Sequence, residues 1–277
     1  MGAQEGLAVY SKEMAQWNMV SMLQEPYPGR LVAAGISADG GSLHMVTATM
    51  GRSPSSQART YEHTEEGDVL TVPFGESYDP LTVYRAQTSH GDFHIATNGS
   101  QTDEIDKALG VGRRADNHVA GLSAAREVLT RFNHEPDPSH TPRISVVVAA
   151  GERITEQPVL FSIIRNNPED PENQRSSVHR FYRGFLGAVV QRGAGLGMTT
   201  YESNGDPLPP FEGGPRPITI GETVEETART FAHVLDAGGG FLVSAAAKAV
   251  SLRTGELQDI YIFNKYGPAA NWPRAAA

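Results

Sequence analysis

Strand-like runs, in which apolar residues are closely spaced or alternate with polar ones, dominate the chain. They cover residues 31–36, 43–50, 69–74, 81–88 and 93–96, then 143–150, 159–164, 197–202, 241–252 and 257–264. Asp39-Gly40-Gly41 and Thr254-Gly255 each sit between two such runs and signal hairpins. Helical spacing appears in three places. From Glu5 to Leu23 the apolar residues Leu7, Val9, Met14, Trp17, Val20 and Leu23 recur loosely at helical steps, and the prolines of Glu25-Pro26-Tyr27-Pro28-Gly29-Arg30 stop the run. From Asp116 to Phe132, Val119, Leu122, Ala125, Val128, Leu129 and Phe132 share one face. Glu222 to Leu235 repeats the pattern through Val224, Ala228, Phe231, Val234 and Leu235.

Two stretches are too polar and too rich in proline or glycine for regular structure: 166–177, a long loop, and 203–217, long enough for a lid or substrate wall. Many strands in hairpins with a few helices between them predict an α+β layered fold. No repeat and no linker separates two cores. The expectation is one domain over residues 1–277, with 1–24 as an N-terminal helical extension.

The stretch TNGSQTDEI, Thr97 to Ile105, joins a strand to a helix. Asn98-Gly99 breaks the strand, glycine being tolerant of the positive φ of a sharp turn. Thr102 is then the expected N-cap, with Asp103 and Glu104 complementing the helix dipole. A strand end, a turn and a helix start gather free N–H groups and short polar side chains, which suits a small polar ligand, although on this stretch alone an ordinary capped turn is the commoner reading.

Composition narrows the field. The residues AVILMFWYC make up 39% of the 277, enough for a sizeable core, and there is no cysteine, hence no disulfide, thiolate metal site or cysteine nucleophile. A net charge of −9 argues against a general nucleic-acid surface, although locally gathered arginines can still hold a small anion. The apolar runs are too short to span a bilayer, and no signal peptide is evident. Arginines recur at turns: Arg30, Arg52, Arg59 and Arg143. Their planar forks fit phosphate or carboxylate, and together they could cradle one phosphate; singly, a surface arginine at a loop is the commoner reading of each. Asp103 and Glu104 are the carboxylates nearest the turn, as acid or base or merely as helix-end charges. His90 and His94, four apart on a strand-like run, could share a face, but no third metal ligand is evident. No Walker loop, dinucleotide fingerprint or nucleophile elbow occurs.

Six segments in order resemble the archaeal-type IMP cyclohydrolase family, especially its bacterial members. They are YPGR (Tyr27 to Arg30) followed by ISADG, MGRSPSSQAR (Met50 to Arg59), TNGSQTDEI, EPDPSHTPRIS (Glu135 to Ser145), YESNGDPLPPFEGGPRP (Tyr201 to Pro217) and FNK (Phe263 to Lys265). The resemblance implies a four-layer αββα sandwich like that of N-terminal-nucleophile hydrolases, with two stacked antiparallel sheets. It implies closure of 5-formamidoimidazole-4-carboxamide ribonucleotide to IMP and water, without metal or other cofactor, by a cytoplasmic homotetramer. It also implies catalytic roles for Asp103, Glu104, Asn98 and Tyr27. Substrate contacts would come from Arg30, Arg52, Arg59, Thr97, Gly99, Ser100, Gln101, Thr141, Arg143, Tyr201 and Phe211. Three positions depart from the family pattern: Ala58 before Arg59, Gly213-Gly214-Pro215 without its carboxylate, and Thr199 in place of a histidine. They leave open the same ring closure on an analogue in specialised nucleoside biosynthesis. An amidohydrolase with a freed N-terminal nucleophile and a non-catalytic nucleotide binder are the readings from other classes.

Overall fold

The computed structural model describes residues 4–6, 10–74, 81, 83–111, 117–136, 140–152, 154 and 156–268. In chain order, β1 (Gln4–Gly6) and α1 (Lys12–Gln24) precede β2 (Leu31–Ile36), β3 (Ser42–Met50) and α2 (Pro54–Gln57). Then come β4 (Arg59–His63), β5 (Val69–Pro73), β6 (Arg85–His90), β7 (Phe93–Thr97), α3 (Gln101–Val111) and α4 (His118–Leu129). The second half holds β8 (Arg143–Ala149), β9 (Pro158–Asn166), β10 (Ser177–Phe185), α5 (Leu186–Val189) and β11 (Ala194–Thr199). β12 (Arg216–Thr219), α6 (Val224–Ala237), β13 (Leu242–Ser251) and β14 (Leu257–Asn264) complete it.

These strands make two sheets. One has the order β1-β10-β9-β8-β7-β6-β5-β4, the other β12-β11-β2-β3-β13-β14, and every pairing is antiparallel except that of β1 with β10. Val32, Ala34, Met45, Val146, Phe161 and Leu196 fill the seam between the sheets. Helices α3 and α4 cover the outer face of the eight-stranded sheet through Ile105, Leu109, Leu122, Ala125 and Leu129. Helices α1 and α6 cover the six-stranded sheet through Met19, Ala228, Phe231 and Leu235. The layers therefore run α, β, β, α, as expected. Because both faces of the inner strands are covered, β13 is buried along all but its last residue, its two buried polar side chains, Ser244 and Lys248, included.

Local chemistry sets the boundaries. α6 starts where the Thr223 side chain accepts a hydrogen bond from the Glu226 backbone, and Glu225 and Glu226 occupy its first turn. α1 starts later than its spacing predicts, because Ser11 caps Met14, and residues 4–6 pair with β10 instead; Leu7 and Val9 lie outside the described residues. On α4, Leu122, Ala125 and Leu129 are buried as expected, but Val119 in the first turn is exposed. The strand expected at 81–88 begins only at Arg85, and that expected at 197–202 runs instead from Ala194 to Thr199. Four strands were not expected: β1, β4, β10 and β12, the last starting inside the stretch expected to lack regular structure; His and Arg interrupt the apolar positions of β10, and most of it is only half-buried.

Candidate active site at one end of the sandwich

Register places the C-terminal ends of β3, β7 and β11 and the N-terminal ends of β2, β4 and β8 at the same end of the sandwich. The YPGR turn enters β2 there. Gly29 has φ +80, and a Cβ on it would lie 2.2 Å from Thr200 Oγ1, so only glycine fits. The tight turn lets the Arg30 backbone N–H donate to Thr200 Oγ1 at 3.0 Å, tying the start of β2 to the end of β11.

Arg30 crosses to the other sheet, where its Nη1 donates to Glu135 Oε2 at 2.6 Å. Burial opposes the charge on Arg30, but the Glu135 carboxylate, with Tyr84 and Tyr201 adding, pushes its pKa up overall. Glu135 is 2% exposed. Its other oxygen is 3.8 Å from Arg143 Nη1, which donates to Gln101 Oε1 at 3.0 Å, and Arg143 Nε donates to the Asn133 carbonyl. Arg59, at the start of β4, is 1% exposed; its Nη2 donates to the Met50 carbonyl at 3.2 Å. Its Nε and Nη1 meet no hydrogen-bond partner, and no carboxylate meets its charge, among the described residues. Burial, with Arg30 adding, lowers the pKa of Arg59. A buried guanidinium without a counter-charge is costly, and an anion would relieve the cost.

The Asn98–Gly99 turn lies beside this cluster, but not in the expected way. Gly99 does not have positive φ; it is glycine because a Cβ there would meet Arg143 Nη1 at 2.7 Å, Gln101 Oε1 at 2.8 Å and Glu135 Oε1 at 2.9 Å. Asn98 is buried and spent on scaffolding. Its Oδ1 accepts from the Ile144 N–H at 2.8 Å and from Gln101 Nε2 at 3.1 Å, while its Nδ2 donates to the Pro142 carbonyl at 2.8 Å. Thr97 and Thr102 both donate to the Gly99 carbonyl, and Thr102 lies inside α3, which starts at Gln101, rather than capping it. Ser100 is exposed at the turn.

Tyr27 and Tyr201 stack with centroids 6.0 Å apart, and Tyr201 Oη lies 2.8 Å from Thr141 Oγ1, a second bridge between the sheets. Arg52 is exposed at the mouth. Its guanidinium stands 5.1 Å from the Tyr27 ring centroid and its Nη1 donates to Asn204 Oδ1 and the Gly205 carbonyl, each at 3.0 Å. Arg52 thus clasps the 203–215 loop to the site rather than joining the buried arginines.

Three expected residues lie apart. Asp103 and Glu104 are in the first turn of α3 but point outward: Asp103 pairs with Arg85, and Glu104 with Lys107. Phe211 is buried in the seam, with Arg216 4.8 Å from its ring centroid. His90 and His94 go to separate partners, Asp106 and Ser89. Glu135 escaped the sequence reading, as did Tyr84 and Tyr61, both close enough to Arg59 to act on its charge. The one available signal was that Glu135 opens the EPDPSHTPRIS segment eight residues before Arg143.

The IMP cyclohydrolase-like protein family matches residues 27–250. The chain belongs to that family. An IMP cyclohydrolase from Methanopyrus kandleri (strain AV19) is 30% identical over 164 residues, covering 56% of this chain and 76% of that protein. The family match takes in every residue of the arginine cluster and leaves α1 outside. No helix among the described residues is long and apolar enough to cross a membrane.

Proposed function

We propose that this chain is an IMP cyclohydrolase, closing 5-formamidoimidazole-4-carboxamide ribonucleotide to IMP with loss of water. The observation that carries the reading is Arg59: a fully buried cation beside Arg30, without a counter-charge among the described residues, in a chain of this family. A phosphate monoester supplies the missing negative charge, and arginine forks suit its oxygens.

In the reaction the carboxamide nitrogen bonds to the formyl carbon. That nitrogen and the formamide nitrogen each lose one proton, and the formyl oxygen leaves with both as water. Most of the acceleration can come from holding nitrogen and carbon within about 3–3.5 Å. Arg59 anchors the phosphate; Tyr27 and Tyr201 wall the imidazole. Glu135, gripped by Arg30, is the buried carboxylate within reach of the turn and relays the protons. Asn98 and Gln101 act as positioning residues, because their amides hold the turn and Arg143. Family resemblance supports a cytoplasmic homotetramer, whose mass sedimentation would read.

The test is incubation with the formamido ribonucleotide while following the absorbance of IMP. Turnover that disappears in Glu135→Gln, with nucleotide binding retained, supports the reading. Nucleotide binding without turnover in the wild-type protein would replace it by ring closure on an analogue.

A further inference from the structure

We propose that Arg126 and Arg183 form a second anion site, sharing no residue with the arginine cluster, that takes a phosphoryl group. Ser123, Arg126 and Thr130 recur at helical spacing on one face of α4, and Phe181 and Arg183 share one face of β10. These two faces meet. The Arg126 guanidinium stands 5.1 Å from the Phe181 ring centroid, and Arg183 Nη2 donates to Ser123 Oγ at 3.1 Å. Two like charges are thereby brought to one cleft of about 310 Å³, lined by Ser123, Arg126, Glu127, Thr130 and Arg183.

No carboxylate among the described residues answers those charges. The Nε atoms of both arginines are buried and have no hydrogen-bond partner there, and neither guanidinium forms a salt bridge there. Glu127, the one carboxylate of the lining, is paired with Arg131 at 2.8 Å. The pKa of Arg183 is lowered by burial first, and Arg126 adds to the lowering. The lining hydroxyls are already committed, Ser123 donating to the Val119 carbonyl and Thr130 to that of Glu127, so the donors on offer are guanidinium N–H groups. Guanidinium forks fit the oxygens of a phosphoryl group bidentately. The volume lies at the lower end of the range for small-molecule sites and admits more than the phosphoryl group alone.

Inorganic phosphate and AMP are the probes, titrated calorimetrically at low ionic strength into the intact protein, R126Q, R183Q and R59Q. The expected result is a class of phosphate sites that survives R59Q but weakens at least tenfold in R126Q and R183Q, with the KM for ring closure unchanged in the latter two. R183K, which keeps the charge and stem, should recover part of the loss and guards against misfolding. AMP binding tighter than inorganic phosphate would name a nucleotide as the source, and equal affinities would name free phosphate; either ranking supports the site. Superimposable isotherms for the wild-type protein, R126Q and R183Q, all folded by circular dichroism, would overturn it. Because this cleft shares no residue with the arginine cluster, loss of binding in R59Q alone would sink this site and leave the proposed function standing.

Discussion

Arg59 and Gly99 each carry a consequence that can be measured singly. Replacing Arg59 by methionine removes a buried charge that no carboxylate answers among the described residues. The free protein should become more stable by about 1–3 kcal/mol, the usual outcome when apolar packing replaces a buried charge. The same change should raise KM by roughly 100-fold, the scale of lost charge-assisted hydrogen bonds. A lower melting temperature with unchanged KM would contradict both halves. Gly99→Ala drives a methyl into Arg143, Gln101 and Glu135, so kcat/KM should fall by at least about 100-fold while circular dichroism stays native. Activity within twofold of wild type would show that the turn does not touch the reacting groups. That Arg30, Arg59 and Arg143 come together was legible because turns rich in glycine, serine and proline surround them, whereas Arg52, in the same kind of turn, stays exposed at the mouth. Glu135 was not, because its burial depends on Arg30, which lies 105 residues away in sequence. Asp103 and Glu104 misled for the converse reason: proximity in sequence says nothing about which way a helix turns its first residues.

At the scale of elements, the β7-turn-α3 unit is held by the Asn98 side chain, which serves backbone groups on β8 and the segment before it. Asn98→Ala leaves buried partners unsatisfied at roughly 1–3 kcal/mol each, so unfolding stability should drop by about 3 kcal/mol. Ser100→Ala, one exposed residue away on the same turn, should cost under about 0.5 kcal/mol. Urea midpoints for the two variants check the contrast, and equal midpoints would refute the scaffold role. Most strands were legible, since a strand covered on both faces, such as β8 or β13, is an apolar run with sharp ends. β10 was not, because His179, Arg180 and Arg183 break the run and serve the rim: His179 reaches the Phe132 carbonyl and Arg180 that of Glu212. The start of α1 was misplaced because loose apolar spacing carries no information about the cap, which Ser11 supplies.

For the whole molecule, stacking two sheets buries ionisable groups that the sequence could not rank by depth. Burial holds His44 neutral, its pKa down at about 4, and His94 lower, at about 3. An unfolded chain protonates both near the ordinary histidine value of about 6.5, so it binds more protons than the folded protein across that window. These histidines therefore make stability fall as pH drops from about 6.5 toward 3. Lys248 moves in the same sense. Burial, with Arg85 adding, lowers its pKa to about 8, although Asp68 pulls upward, and its Nζ donates to Ser89 Oγ and the Gly67 carbonyl. Between pH 8 and the unfolded lysine value of about 10.4 the unfolded chain again binds more protons, so this group makes stability rise with pH. Lys248→Met should flatten the difference in urea midpoint between about pH 8 and about pH 9.5, below the ionisation of the raised Tyr61. An unaltered slope would remove Lys248 from the account.

The contacts Arg30–Glu135 and Thr141–Tyr201 each join one sheet to the other. A nucleotide lodged between them would act as a rivet through two plates rather than as a guest in one loop. Amide exchange would then slow in β2 and β8 together, and the cohesion of the sandwich would rise and fall with every turnover.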